Sequence, residues 1–327
     1  MPDDNRIFDL PPKIKKADGA NRKVGFELEF SGLTIDQAVE AVQTSLNASL
    51  RSETTAEKTL DAEGLGSFSV ELDWELLKRL ADKATQKDNN WIETLSQTAA
   101  MIVPIEVVCP PIEVEQLFAL EQMVKALRNA GAKGTEESPI AAYGVHINVE
   151  LPNLDTHTIN AYVTAFCLLQ WWLSEARDVN ITRKISPYVA LFSETYVKTI
   201  LSRKSPGMVD IFEDYLTHNA SRNRALDLLP LLAHIDEKRV FAAVDDPKIK
   251  ARPALHYRLP NCHIEDPDWS LNNSWNVWQI VEKLASSPED LEYLSSKFFE
   301  YDRPLIGIDT NEWNEFIDKW LKDQKLA

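Results

Sequence analysis

The chain reads as an α+β protein, and three observations predict it. Five runs have strand length and are rich in β-branched or aromatic residues: 22–31, 68–73, 101–108, 142–151 and 251–259. Helical runs of unequal length separate them, without the regular strand–helix–strand rhythm of a doubly wound sheet. Only ten glycines occur in 327 residues, and no Gly-rich turn opens a nucleotide-binding βαβ unit.

Residues 1–20 are polar, carry Pro11-Pro12 and a lysine cluster, and read as a flexible N-terminal segment. Strand 22–31 follows. Thr34 is placed to cap an amphipathic helix reaching about residue 48. Residues 51–66 read as a loop, punctuated by Gly64 and Gly66. In 68–73, Phe68, Val70 and Leu72 alternate with Ser69, Glu71 and Asp73. Met101 to Val108 is β-prone and ends at Pro110-Pro111. A helix over 113–130 is closed by Gly131. Strand 142–151 ends at Pro152, and 156–177 is a long, largely buried helix. Residues 180–226 mix short helices with two arginine-bearing loops. After strand 251–259, residues 271–326 are mostly helical and carry Trp275, Trp278, Trp313 and Trp320. There is no internal repeat and no low-complexity tract.

Composition narrows the function classes. With 44% hydrophobic residues and nine tryptophans the chain can bury a sizeable core. A net charge of −16 argues against nucleic acid as a main partner, since phosphate backbones want a basic surface. An anionic ligand would need local arginines or metal ions to reverse the field. Three scattered cysteines, Cys109, Cys167 and Cys262, suggest neither a disulfide framework nor a zinc-thiolate site. The start, Met1-Pro2-Asp3-Asp4-Asn5, lacks the features of a signal peptide, and the apolar stretch 161–173 is too short to span a bilayer. The expected setting is cytoplasmic.

The most informative run is Val24-Gly25-Phe26-Glu27-Leu28-Glu29-Phe30. A strand places Glu27 and Glu29 on one face. Like charges one step apart repel, and more so when partly buried. Either that face is wet or a cation lies between them, and divalent metals take carboxylate oxygens readily. The run also fits a solvated edge strand with two surface glutamates. Other ionisable groups stand in apolar strands: Asp73, Glu106, His146, and the pair His256 and Arg258. Such groups are costly without a partner. Each has a structural alternative: a helix cap for Asp73, an arginine partner for Glu106, a hydrogen-bonded core histidine for His146, an ion pair for Arg258. Arginines form the other half of the pattern. Arg222 and Arg224 precede the apolar Leu228-Leu229-Pro230-Leu231-Leu232, Arg183 and Lys184 share a loop, and Arg252 and Arg258 flank a strand. Arginine forks suit phosphate and carboxylate oxygens; a surface salt-bridge network is the alternative, strongest for Arg222. Taken together, strands presenting carboxylate, imidazole and guanidinium look like a metal- and phosphate-lined funnel.

At this point the residues resemble a known family. Val24-Gly25-Phe26-Glu27-Leu28-Glu29-Phe30, Ile105-Glu106-Val107-Val108-Cys109-Pro110-Pro111, Tyr143-Gly144-Val145-His146-Ile147-Asn148-Val149, Asn223-Arg224-Ala225-Leu226-Asp227-Leu228-Leu229-Pro230 and Arg252-Pro253-Ala254-Leu255-His256-Tyr257-Arg258-Leu259-Pro260-Asn261 resemble the putative amidoligase family. That family belongs with the glutamine synthetases and glutamate–cysteine ligases. The resemblance spans residues 22–290 and implies a mainly antiparallel sheet forming a funnel-like active site surrounded by helices. It implies a catalytic domain over 21–290; the resemblance does not reach 291–327, which reads as a C-terminal helical extension packed on the same domain. Those helices suit packing on the core or on another subunit in a homo-oligomer.

The resemblance further implies an ATP-dependent carboxylate–amine ligase with Mg²⁺ or Mn²⁺, working through an acyl phosphate. Glu29, Asp73 and Glu106 would hold one metal. Glu27 and His146 would hold a second, with a third ligand on the strand carrying Arg258. There His256 stands where many relatives have glutamate. Arg258 would contact the transferred phosphoryl group, Arg224 a phosphate or substrate carboxylate, and Arg222 and Arg252 would add to the nucleotide side. Glu150 is the candidate acceptor for the amine proton. Small-molecule or peptide carboxylates and amines are the expected partners. A guanidino or amine kinase on the same fold, an inactive nucleotide-binding relative and a helix-rich interaction protein are the alternatives.

Overall fold

The computed structural model describes residues 8–72, 104–136, 143–176 and 189–326. The fold is α+β, with a mainly antiparallel sheet and, among the described residues, ten α-helices. Over these residues the contacts divide the chain into two units. One comprises Phe8, Lys23–Ile147 and Pro260–Ser274; the other comprises Asp9–Arg22, Asn148–Leu259 and the chain from Trp275 onward.

The first unit is built on strand β1, Lys23–Phe30. Helix α1, Ile35–Leu46, follows. Then come β2 Ser49–Glu53, β3 Glu57–Ala62, β4 Gly66–Leu72, β5 Ile105–Val108 and β6 Ile112–Glu113. A 3₁₀ turn over Val114–Gln116 leads into α2, Phe118–Ala130, and then β7, Val145–Glu150, which crosses into the second unit. The strand order is β2-β3-β4-β5-β1-β7, with β6 pairing the start of β1. Alternation sorts the two faces. Leu60, Phe68, Val70, Ile105, Val107, Phe26, Leu28 and Phe30 are wholly buried on one face. Helix α1 packs there on β3, β4 and α2. Its buried stripe is Ala38, Val39, Ala41 and Val42, the i, i+3, i+4 pattern of an amphipathic helix.

Thr34 caps α1 as expected. Its side chain accepts the Gln37 N–H at 3.3 Å and the Gln37 side chain accepts the Thr34 N–H at 2.9 Å, a reciprocal capping box. Asn47, at φ +50°, ends the helix. Helix α2 ends at Gly131 (φ +105°), also as expected. It begins later than 113 because Glu113 pairs with Lys23 in the sheet.

The expected loop over 51–66 is overturned. These residues form the β2–β3–β4 meander, with Leu50 opposite Leu60 and Leu60 opposite Phe68. Residues Ser49–Glu53 are exposed throughout, so they carry no apolar alternation to reveal a strand; pairing with β3 supplies what the side chains do not.

Residues 131–136 are clasped by 260–272 in the same unit. Glu265 accepts the N–H groups of Gly134 (3.0 Å) and Glu136 (2.9 Å), and Thr135 N–H donates to the Cys262 carbonyl at 2.8 Å. A Cβ on Gly134 would lie 2.1 Å from that carbonyl oxygen, so glycine is required there. Arg128 Nε and Nη2 donate to the Ile264 and Trp269 carbonyls at 2.7 Å each.

The second unit is mainly helical: α3 Thr156–Ala176, α4 Glu194–Ser202, α5 Met208–Asn219, α6 Leu229–Ile235 and α7 Glu237–Ala243. Helix α8, Leu271–Ala285, enters it, followed by α9 Pro288–Tyr301 and α10 Thr310–Asp323. Two short strands, β8 Leu226–Asp227 and β9 Ala254–Tyr257, pair antiparallel. A hairpin of β10 Asp302–Arg303 and β11 Gly307–Ile308 joins α9 to α10. Helix α3 is buried along nearly its whole length, as its apolar run predicts. Trp313 donates to the Leu168 carbonyl at 2.9 Å, and Trp171 stacks on Phe298 with centroids 6.0 Å apart. Beneath α8 lies a buried ion pair: Arg22 meets Glu282 bidentately at 3.0 and 2.7 Å. Among the described residues no helix is long and apolar enough to cross a membrane.

Candidate metal centre

The face of β1 opposite α1 carries Glu27 and Glu29, as the alternation requires. The β1–β5 register sets Glu106 directly opposite Glu29, and the β4–β5 register sets Glu71 opposite Glu106. Glu57 lies opposite Glu71 in turn. Facing residues of antiparallel strands share a face, so four glutamates form one row across β3, β4, β5 and β1. Directly opposed like charges destabilise a sheet, and a cation lying against the row would relieve that repulsion.

His146, on β7, completes a compact group. Its Nδ1 lies 3.1 Å from Glu27 Oε2 and its Nε2 lies 3.5 Å from Glu29 Oε1. Only 9% of the His146 side chain is exposed, beside 15% for Glu27 and 11% for Glu29. One ligand atom from each of Glu29, Glu106 and His146 falls within 4.8 Å of the others. The second oxygen of Glu29 accepts the Gly144 N–H at 2.8 Å, which fixes the carboxylate. Two carboxylates and an imidazole form a donor set suited to a divalent cation. A carboxylate on the far ring nitrogen is the usual support for a ligating histidine, and Glu27 stands there. Buried Cys109 lies near enough that Glu27's charge adds to burial in pushing its thiol well above the ordinary range.

The second unit gathers the arginines. Arg252 grips Asn148 Oδ1 through Nε (3.0 Å) and Nη2 (2.6 Å). Arg258 Nη2 lies 3.4 Å from Asp227 Oδ2. Both guanidiniums reach His256 Nδ1, at 3.2 and 3.1 Å. Asp227 is fully buried; burial raises its carboxyl against the opposing pull of Arg258. Arg224 donates to the His218 carbonyl at 3.1 Å, while its buried Nε has no partner among the described residues. Arg222 lies 3.7 Å from Asp246, which fits the surface-pair alternative. Glu150 is held by Lys16 at 3.3 Å.

A family profile described as "Putative amidoligase enzyme" matches residues 20–280. The chain belongs to that amidoligase family. No curated protein matches it. The family is one of ligases, and the matched stretch of this amidoligase contains all the residues placed above except Lys16.

Of the residues singled out by sequence, Glu27, Glu29, Glu106 and His146 come together in the first unit. The resemblance implied separate metals for the Glu29–Glu106 pair and for Glu27 with His146; in this amidoligase the imidazole of His146 lies beside both Glu27 and Glu29. Arg222, Arg224, Arg252, Arg258, His256 and Glu150 lie in the second unit. Asp73, Arg183 and Lys184 lie outside the described residues. Glu71 and Glu57 were missed as site residues. The signal for Glu71 was present, since it alternates in phase with Asp73, but only the strand register brings it opposite Glu106.

Proposed function

We propose that the protein is an ATP- and divalent-metal-dependent ligase that joins a carboxylate to an amine through an acyl phosphate. The observation that carries this reading is the convergence of Glu29, Glu106 and His146 within 4.8 Å on one sheet face. Those three residues would hold the cation, with Glu27 orienting the imidazole. The bound cation would neutralise charge on phosphate oxygens. Arg258 and Arg252 are suited to a phosphate, since guanidinium forks match its oxygens. The buried Nε of Arg224, which has no partner among the described residues, is a donor that an anionic ligand would satisfy.

In the reaction, a substrate carboxylate oxygen bonds to the γ-phosphorus as the bond to ADP breaks. The amine nitrogen then attacks the acyl carbon and inorganic phosphate leaves. The residues contribute positioning and electrostatics, which dominate phosphoryl transfer. Glu150 is the proposed acceptor of the amine proton.

The test is calorimetry with a non-hydrolysable ATP analogue and Mg²⁺ or Mn²⁺, on wild type, Glu29→Gln and Glu106→Gln. Metal-dependent binding that weakens at least tenfold in either variant, about 1.4 kcal/mol, is expected. No binding with either metal refutes the reading. Phosphate release with carboxylate and amine pairs, accompanied by an amide product, then separates a ligase from a kinase, whose product is phosphorylated.

A further inference from the structure

We propose that His256 is a positioning residue of the arginine group, fixed as its Nε2–H tautomer, and not a metal ligand. Two guanidiniums converge on one ring nitrogen: Arg252 Nη2 at 3.2 Å and Arg258 Nη2 at 3.1 Å from Nδ1. A guanidinium nitrogen only donates, so Nδ1 must offer its lone pair. The neutral ring then carries its proton on Nε2. The opposite tautomer would aim an N–H at two other N–H groups.

This decides what the ring can do. A metal ligand through Nε2 needs the lone pair there, which moves the proton to Nδ1 and against both arginines. Nδ1 itself is already committed. A carboxylate at this position has about four lone-pair sites and can accept from arginine and ligate a cation together; a neutral imidazole has one acceptor nitrogen. A carboxylate at this position could be such a shared ligand; the imidazole of His256 is a dedicated acceptor.

The ring is the middle of a hydrogen-bonded chain, Asn148–Arg252–His256–Arg258–Asp227. Asn148 anchors one guanidinium (2.6 and 3.0 Å) and Asp227 the other (3.4 Å). Asp227 also lies directly opposite His256 in the β8–β9 register. Two like-charged forks would repel without a shared acceptor. With it, they are held together as a receptor for a phosphate-class anion. That the anion is a nucleotide's phosphate rests on the ligase reading above; the tautomer does not.

The experiment uses the full chain. Long-range ¹H–¹⁵N spectra of histidine-labelled protein, with the His256 signals assigned by their loss in His256→Asn, report the tautomer directly. An Nε2–H ring unmoved by Mg²⁺ is expected. An Nδ1–H ring, or an Nε2 signal displaced by Mg²⁺, overturns the proposal. Calorimetry adds Mn²⁺ alone and inorganic tripolyphosphate. In His256→Asn, whose Oδ1 replaces the Nδ1 acceptor, Mn²⁺ stoichiometry should be unchanged and both affinities should stay within about threefold. In His256→Ala, tripolyphosphate affinity should fall at least tenfold while Mn²⁺ binding holds. Loss of a Mn²⁺ ion in His256→Asn, or unchanged tripolyphosphate binding in folded His256→Ala, also overturns it. If wild type takes up no Mn²⁺ at all, the ligase reading fails, and the tautomer measurement still decides the role of His256.

Discussion

The buried Arg22–Glu282 pair gives the sharpest test of how the second unit is held together. Their side chains are 1% and 0% exposed. Glu282 accepts from Arg22 Nη1 (3.0 Å) and Nη2 (2.7 Å), from Trp278 Nε1 (2.9 Å) and from the Tyr162 hydroxyl. That matches the four lone-pair sites of a carboxylate. Arg22 also donates to the Lys13 and Glu150 carbonyls at 2.8 Å each. Burial opposes the guanidinium's charge, yet Glu282 outweighs it and the pKa of Arg22 rises. Burial and then Glu282 likewise drive the Tyr162 hydroxyl far above its usual range.

Removing one partner leaves the other charged in a dry site, at a cost of about 3–5 kcal/mol. Arg22→Met and Glu282→Leu should each lose that much. Together they remove both charges, so the double variant should cost less than either single change, a coupling of several kcal/mol. Tyr162→Phe should lose about 1.5–3 kcal/mol, the worth of a hydrogen bond to a charged group. Urea unfolding at pH 7, read by tryptophan fluorescence, gives the midpoints and slopes. Single variants that lose under about 1 kcal/mol, or a double variant that costs their sum, would refute the network as drawn.

Three further outcomes are expected. Gly134→Ala forces a Cβ to 2.1 Å from the Cys262 oxygen and should cost about 1–3 kcal/mol; an unchanged urea midpoint would contradict that close approach. Burial raises the Glu121 carboxyl above its ordinary 4.5, so the native state holds this proton more tightly than the unfolded chain does. Its contribution to stability is full below 4.5 and is lost as pH rises through the raised native value, so Glu121→Gln should gain on wild type over that window in urea titrations at stepped pH; parallel curves would count against it. Cys109, Cys167 and Cys262 are all buried and burial pushes the Cys109 and Cys167 thiols well up, so a disulfide reagent should label the native protein only as fast as it opens; a burst of labelling would place a thiol at the surface.

Much of the first unit could be read from local pattern. The two-residue period put Glu27 and Glu29 on one face, and the apolar neighbours of Glu106 and His146 marked both as costly unless partnered. Thr34 and Gly131 announced their helix ends through cap chemistry. What escaped reading lies in long-range pairing. Strand β2 is polar and exposed along its whole length, so nothing in its composition distinguishes it from a loop. The partner of Arg22 is 260 residues away. Glu282 sits on a helix whose sequence shows an ordinary acidic residue among apolar ones. The two units are also interleaved along the chain, with Pro260–Ser274 returning to the first after more than a hundred residues in the second. Composition shifts do not mark such a return.

Register is the variable on which the candidate metal centre depends. Glu29 meets Glu106 only because β1 and β5 pair Leu28 with Val107 and Phe30 with Ile105. A slip of one residue would turn Val107 toward Glu29 and bury Glu106 among the side chains beneath α1. The apolar face prevents this: Leu28, Phe30, Ile105 and Val107 are all wholly buried, and a slip would expose the side chains of a whole strand. The residues that secure the carboxylate row are thus the hydrophobic ones on the opposite face. The row can tolerate its own repulsion because the strands are aligned by burial and not by the charges. A cation there would relieve that repulsion without having to assemble the site, since Gly144 already fixes Glu29 and Glu27 already contacts the imidazole. Preorganisation of this kind favours binding because little ordering remains to be done when the ion arrives.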